Sequence, residues 1–327
     1  MQTSLNTFLN AFTWDDRTGF AFASCNTQDF KNSLDVYLDA VFHPRVRNDK
    51  FVLAQEGWHL RPKEGAAVSG ERQLAGSEMT LSGVVYSEMK GVYSDVDSLL
   101  FRRLQQHTFP DTPYRFDSGG DPKDIPSLTF DQFAEFYDKH YHPSNAITYV
   151  SGMDQDEHDF LSTVDGYYKE YDAAPEKRAA SVVQVQKKRF TEPVREKYPY
   201  SVGDDNGATH IVATNWLIND TPMSAMQGLA WRMLNRLLLG ASSSILYKSL
   251  SESGFGNQVL DYGYEDELVQ ATFAVGLKGV KEADVKKVEH LTMNTLRQVA
   301  KDGFDDDTIE ASLNFIEFHV SFNEITS

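Results

Sequence analysis

At 327 residues, with 41% hydrophobic and 12% aromatic side chains, the chain is long enough for two domains with substantial cores. A net charge of −17 excludes a nucleic-acid binder, which needs a basic surface, and leaves cationic partners such as basic peptides open. No apolar run approaches the roughly 20 residues of a membrane-spanning helix.

Residues 6–24 predict two strands, Thr7 to Trp14 and Phe20 to Ser24, around the turn Asp15-Asp16-Arg17-Thr18-Gly19. Apolar residues at Phe30, Leu34, Tyr37, Leu38 and Val41 predict a helix over 29–42, stopped by Pro44. Cys25, the only cysteine, allows no internal disulfide, fits a reducing compartment, and reads as a small core side chain. A short helix is expected over 49–59, a polar loop over 61–77 and a long helix over 80–108.

Four prolines and the Gly119-Gly120 pair make 110–126 irregular. Thr129 and Gln132 form a capping-box pattern for a helix ending near His140, and Ala146–Ser151 predicts a strand. Residues 165–195 lose periodicity and gain charge, so the expected organisation is a domain over 1–165, a linker over 166–195 and a second domain over 196–327.

In the second domain, strands near 197–202 and 208–218 precede helices near 223–239 and 242–252. Strands near 257–263 and 268–277 lead to helices at 282–301 and 305–320. The two regions share an order of strands and helices without a residue-level repeat, which suggests two related α+β units. The chain opens close to a strand pattern without a recognisable leader and stops just after a helical one, so it reads as a piece of a longer protein.

One stretch carries the chemistry. In Gly83-Val84-Val85-Tyr86-Ser87-Glu88-Met89-Lys90-Gly91-Val92-Tyr93-Ser94 a single carboxylate, Glu88, shares a helical row with Val84 and Val92. On an apolar stripe a charge needs a metal or a base as partner; at the stripe's edge it needs only solvent or a Lys or Arg. None of the nine histidines pairs with another four residues away, so no local motif assembles a metal site. His142, ahead of Pro143, reads as a packing residue at a turn.

Leu9-Asn10-Ala11-Phe12-Thr13-Trp14, Asp35–Phe42, Gln55-Glu56-Gly57-Trp58-His59 and Gly83–Ser94 recur in order with Asp117-Ser118-Gly119-Gly120-Asp121-Pro122 and His142-Pro143-Ser144-Asn145-Ala146. Together these blocks resemble the presequence-protease branch of the inverted-zincin, pitrilysin-like metallopeptidases. In the second half, Leu238–Tyr247 and Glu252-Ser253-Gly254 are similar to that family's second domain.

The resemblance implies an α+β fold of two pitrilysin-like units, the first incomplete at its N-terminus. It implies a zinc endopeptidase that degrades short unstructured peptides, such as cleaved targeting peptides, in a chamber built from two halves. Glu88 matches the family's third zinc ligand. Asn10, Ala11, Phe12 and Thr13 match its Asn-Ala-x-Thr strand, which binds extended substrate through backbone groups. The His-x-x-Glu-His segment that supplies the other ligands and the general base is not in this sequence, nor is the second half of the chamber with its Arg and Tyr groups. The zinc site is therefore incomplete, no catalytic residue is assigned, and the chain alone is expected to be inactive. The expected partners are short unfolded basic peptides and the missing half of the same protein, and the family address is the mitochondrial matrix or plastid stroma. The alternative is a non-catalytic relative kept as a peptide-binding or subunit-contact module.

Overall fold

The computed structural model describes residues 5–63, 78–152, 157–188, 190–201 and 210–326. The loop Gly65–Ser77 and the acidic run Asp154–Asp156 lie outside them. The architecture is α+β, in two compact units. One comprises Met1–Arg103 with Pro113–Val183; the other comprises Leu104–Thr112 with Gln184–Ser327.

The first unit opens with β1 (Asn6–Thr13) antiparallel to β2 (Thr18–Ser24). Leu9 and Ala11 stand opposite Phe22 and Phe20, and this face covers α1 (Thr27–Phe42). Phe22 packs 4.9 Å from Phe30 and 5.1 Å from Tyr37, between ring centroids. Asn26 caps α1 by accepting from the Asp29 amide, and Leu34, Leu38 and Phe42 bury its inner stripe. Phe160 and Val164 of α6 (Glu157–Tyr168) close that core.

The expected short helix is a single turn, α2 (Lys50–Val52), continued by a π-helical turn Leu53–Gly57. β3 (His59–Pro62) and β4 (Met79–Ser82) pair antiparallel. The long helix expected over 80–108 is two, α3 (Val84–Val92) and α4 (Val96–Thr108). Asp95 explains the break: its carboxylate accepts from the Ser98 amide, which starts a new helix. α5 (Phe130–His140) begins at the expected Thr129–Gln132 capping box, and α7 (Pro175–Ser181) is a helix where the sequence shows no periodicity.

Two expectations fail here. Ala146–Ser151 forms no strand, and its Ile147 and Tyr149 are 82% and 85% exposed. Its alternation is real, but a strand exists only with a hydrogen-bonded neighbour. Cys25 is exposed rather than in the core, because it sits in the bend between β2 and α1.

The second unit is a three-stranded antiparallel sheet ordered β5 (His210–Leu217), β7 (Thr272–Val280), β6 (Gln258–Glu265). No strand forms over the described part of 197–202. The helices α8 (Ala225–Leu239), α9 (Ile245–Ser251) and α10 (Val285–Asp302) pack against the sheet, and α11 (Asp306–Thr326) packs on α8. Leu246, Leu250, Val275, Leu277, Val280 and Val288 form the centre of its core. Val259, Tyr264 and Phe273 extend that core along the sheet.

A buried glutamine pair fixes the ends of this sheet. Gln270 accepts from the Gln186 amide at 2.6 Å and donates to the Asn219 carbonyl at 2.7 Å. Gln186 in turn donates to the Thr108 carbonyl at 2.8 Å. Among the described residues no helix is long and apolar enough to cross a membrane.

Candidate metal and peptide site

Gly83 sets the start of α3. Its φ of 143° is open only to glycine, and a Cβ there would lie 2.3 Å from the Gly57 carbonyl oxygen. The helix therefore leaves β4 in close contact with the π-helical turn. Its inner side is Met89, which is buried against Gly119; a Cβ on Gly119 would stand 2.3 Å from the Met89 sulfur.

Tyr93, four residues on, lies beside the same loop, and its hydroxyl is pushed up to about 12 by burial and then by the Asp117 carboxylate. The block Asp117–Pro122 is thus the seat of α3. Asp117 accepts from the Gly119 amide at 3.0 Å and pairs with Arg102 at 3.6 Å, while Arg102 also donates to the carbonyls of Tyr114 and Arg115.

With Met89 and Tyr93 turned inward, Glu88 faces out. Val84 and Val92, its neighbours in the helical row, are exposed, so the row is not a buried stripe. The carboxylate lies in water and incurs no burial cost that a metal must offset. The apolar residues of α3 cover a broad arc that also contains Glu88, wider than the face that Met89 buries, which is why the sequence left its phase open. Among the described residues no group of three or more His, Cys, Asp or Glu is arranged to hold a metal. One exposed carboxylate does not fit zinc by itself, since catalytic zinc takes three protein ligands.

The other candidates lie on β1. Asn10 shares one face with Phe8, Phe12 and Trp14, opposite the small residues Ala23, Ala21 and Gly19. The Phe8 and Phe12 rings stack at 6.2 Å, Phe12 meets Trp14 at 5.4 Å, and Arg17 lies 4.8 Å over the Trp14 ring. Phe8 and Phe12 are exposed, so the hairpin presents an aromatic ladder beside a floor of small side chains.

Ala11 and Thr13 face the other way, towards Phe20 and Thr18. The Asn10 side-chain oxygen accepts from the Ala11 amide at 2.9 Å, and Tyr37 reaches the Asn10 carbonyl at 3.5 Å. On its far edge β1 has no paired strand among the described residues. Phe8 and Trp14 were missed as candidates; their even spacing with Phe12 was the available signal.

Glu88 and β1 are linked through the same loop. Tyr114, buried at the centre of that loop, donates at 2.7 Å to Asp16 in the β1–β2 turn. His142 accepts from the Ser144 amide and caps a short turn, as a packing residue does.

A family model described as "Peptidase M16 inactive domain" matches residues 127–315. The chain is 44% identical over 329 aligned positions to a protein named presequence protease 1, chloroplastic/mitochondrial, from Arabidopsis thaliana, with 100% of this chain and 29% of that protein covered. It is 35% identical to the mitochondrial presequence protease of Mus musculus, covering 97% of this chain and 30% of the relative. The chain thus spans about 30% of the length of these curated relatives. Among solved structures, a protease from Helicobacter pylori superposes with a TM-score of 0.58 at 15% identity, over 98% of this chain and 68% of that one, a likeness of fold.

Proposed function

This chain belongs to the M16, pitrilysin-like, peptidase family, and we propose that it is part of a zinc metalloendopeptidase that degrades short unstructured peptides such as cleaved targeting peptides. The observation that carries the reading is similarity along the whole of this chain to about 30% of the length of presequence proteases, joined to a β1 hairpin whose aromatic face, and whose edge with no paired strand among the described residues, suit an extended peptide.

In this reading an unfolded peptide pairs with the backbone of Asn10–Thr13 as an added strand. Binding is then largely indifferent to sequence, while Phe12 and its stacked neighbours take up apolar side chains. Glu88 would donate one carboxylate to a zinc ion whose histidine ligands and general base come from a His-x-x-Glu-His segment outside this sequence. The aqueous exposure of Glu88 leaves it free to do so. Organellar targeting, as printed in the names of the relatives, is proposed for this protein too.

The test has two arms. The purified chain should show no zinc-dependent, chelator-sensitive turnover of an unstructured peptide. In the complete protein, with both the His-x-x-Glu-His segment and the second half of the chamber present, hydrolysis should appear, and Glu88→Gln should sharply reduce zinc content, because a neutral amide loses most of the carboxylate's attraction for the cation. Normal zinc content and activity in that variant would remove Glu88 from the site. The second reading, a non-catalytic peptide-binding or subunit-contact module, draws on the family model being that of an inactive domain. Peptide binding by a complete protein that shows no hydrolysis would favour it.

A further inference from the structure

The register of the β1–β2 hairpin decides which backbone groups of β1 reach its outer edge. Trp14 donates to the Arg17 carbonyl at 2.9 Å, and the pairs that follow are Thr13–Thr18, Phe12–Gly19, Ala11–Phe20, Asn10–Ala21 and Leu9–Phe22. In an antiparallel ladder alternate pairs exchange both hydrogen bonds, so Phe12 and Asn10 turn their amides and carbonyls towards β2. The Tyr37 hydroxyl also reaches the Asn10 carbonyl, at 3.5 Å. Leu9, Ala11 and Thr13 turn theirs to the edge that has no paired strand among the described residues.

One of those edge donors is already taken. The Asn10 side-chain oxygen accepts from the Ala11 amide at 2.9 Å, and both residues are exposed. Ala11 is the middle one of the three edge residues. A strand laid along β1 therefore has to place a carbonyl where the Asn10 carboxamide now sits. The backbone of Asn10 is committed to β2, so at this edge its side chain acts alone. Open edge donors invite indiscriminate strand pairing, and a side-chain acceptor on the central donor guards against it.

We infer that the Asn10 carboxamide is a displaceable cap on the peptide-pairing edge: it satisfies the Ala11 amide in the peptide-free protein, and an incoming peptide carbonyl has to take that donor from it. The inference rests on the strand-pairing reading above and adds a threshold to it. At Ala11 the peptide forms one hydrogen bond at the expense of an existing one, whereas at Leu9 and Thr13 it displaces only water. A segment that pairs at Ala11 alone gains little. One that stays extended from Leu9 to Thr13 gains at both flanks, so the cap selects for extended backbone and is indifferent to charge.

The experiment compares the whole chain with Asn10→Ala and Asn10→Asp, both at an exposed position. Without peptide, exchange of the Ala11 amide, read by nuclear magnetic resonance, should speed up in Asn10→Ala; unchanged exchange would overturn the cap. Binding of a short, labelled, uncharged peptide of alternating Gln and Val is then followed by fluorescence anisotropy. It should tighten about three- to tenfold in Asn10→Ala, where the donor faces only water. It should weaken in Asn10→Asp, whose carboxylate holds the amide more strongly. Unchanged or weaker binding to Asn10→Ala would overturn the cap and leave the strand-pairing reading standing. The fully N-methylated counterpart of the peptide has no amide to pair with β1 and should not bind. Equal binding of that counterpart to the parent chain would overturn the strand-pairing reading, and the cap's role with it.

Discussion

Tyr114 and Asp16, 98 positions apart in sequence, are joined by a 2.7 Å hydrogen bond from the buried phenol to the carboxylate of the hairpin turn. Through this bond the loop that seats α3 also holds β1, so one loop orients both Glu88 and Asn10. Tyr114→Phe keeps the ring and removes one donor to Asp16, which retains Arg17 at 3.0 Å. It should cost about 1 kcal/mol in the first unit. Urea unfolding followed by tyrosine and tryptophan fluorescence measures it, and an unchanged midpoint would show that the bond does not contribute.

Gly83→Ala should be more damaging. The new Cβ meets the Gly57 carbonyl oxygen in a backbone conformation that L side chains avoid. Strain of this kind costs about 1–3 kcal/mol before any clash is counted. Thermal unfolding should register a clear loss, whereas Gly91→Ala, where nothing lies within 4 Å, should be neutral or mildly stabilising.

Gln270→Leu tests the buried glutamine pair. It removes the acceptor for the Gln186 amide and the donor to the Asn219 carbonyl, so two polar groups lose their partners. The expected loss is about 2–3 kcal/mol in the second unit. If the variant unfolds with the parent, water replaces the side chain at no cost.

The stability of the first unit should depend on the pH range below neutrality. Burial, reinforced by the Lys177 charge, holds both the His140 and His142 imidazoles below their ordinary 6.5. In that case the unfolded chain takes up protons that the folded chain does not. Their contribution is complete above about pH 6.5 and is lost as the pH falls from there through the lowered folded values. Denaturation midpoints between pH 7.5 and 5 should therefore fall on acidification, and His140→Asn should flatten the slope. An unchanged slope would assign the acid sensitivity to other groups.

Charge should also appear in peptide association. With 48 acidic against 31 basic residues, the chain should capture basic unfolded peptides faster than acidic ones at low salt. The difference should disappear once the Debye length falls well below roughly 8–10 Å. Equal rates at low ionic strength would leave the acidity as a solubility feature.

Much of this protein was determined by local sequence. The β1–β2 hairpin, α1 with its Leu34–Leu38 stripe and the Thr129–Gln132 cap all form where nearby residues favour them, because turns, caps and amphipathic periods are local physics. The ordered blocks around Asn10, Glu88 and Gly119 identified the family for the same reason: each is legible without its neighbours in space. Tertiary structure decided the rest. The phase of α3 could not be read from a helix whose apolar arc is broader than the face it buries. It was fixed by Met89 meeting Gly119, which turned Glu88 to solvent. Ala146–Ser151 has the composition of a strand but no partner among the described residues, and backbone pairing is a property of two segments, never of one. The hydrogen bonds of Tyr114 and Gln270 span 98 and 51 positions, and no local rule pairs residues so far apart; only the packed chain brings them within reach.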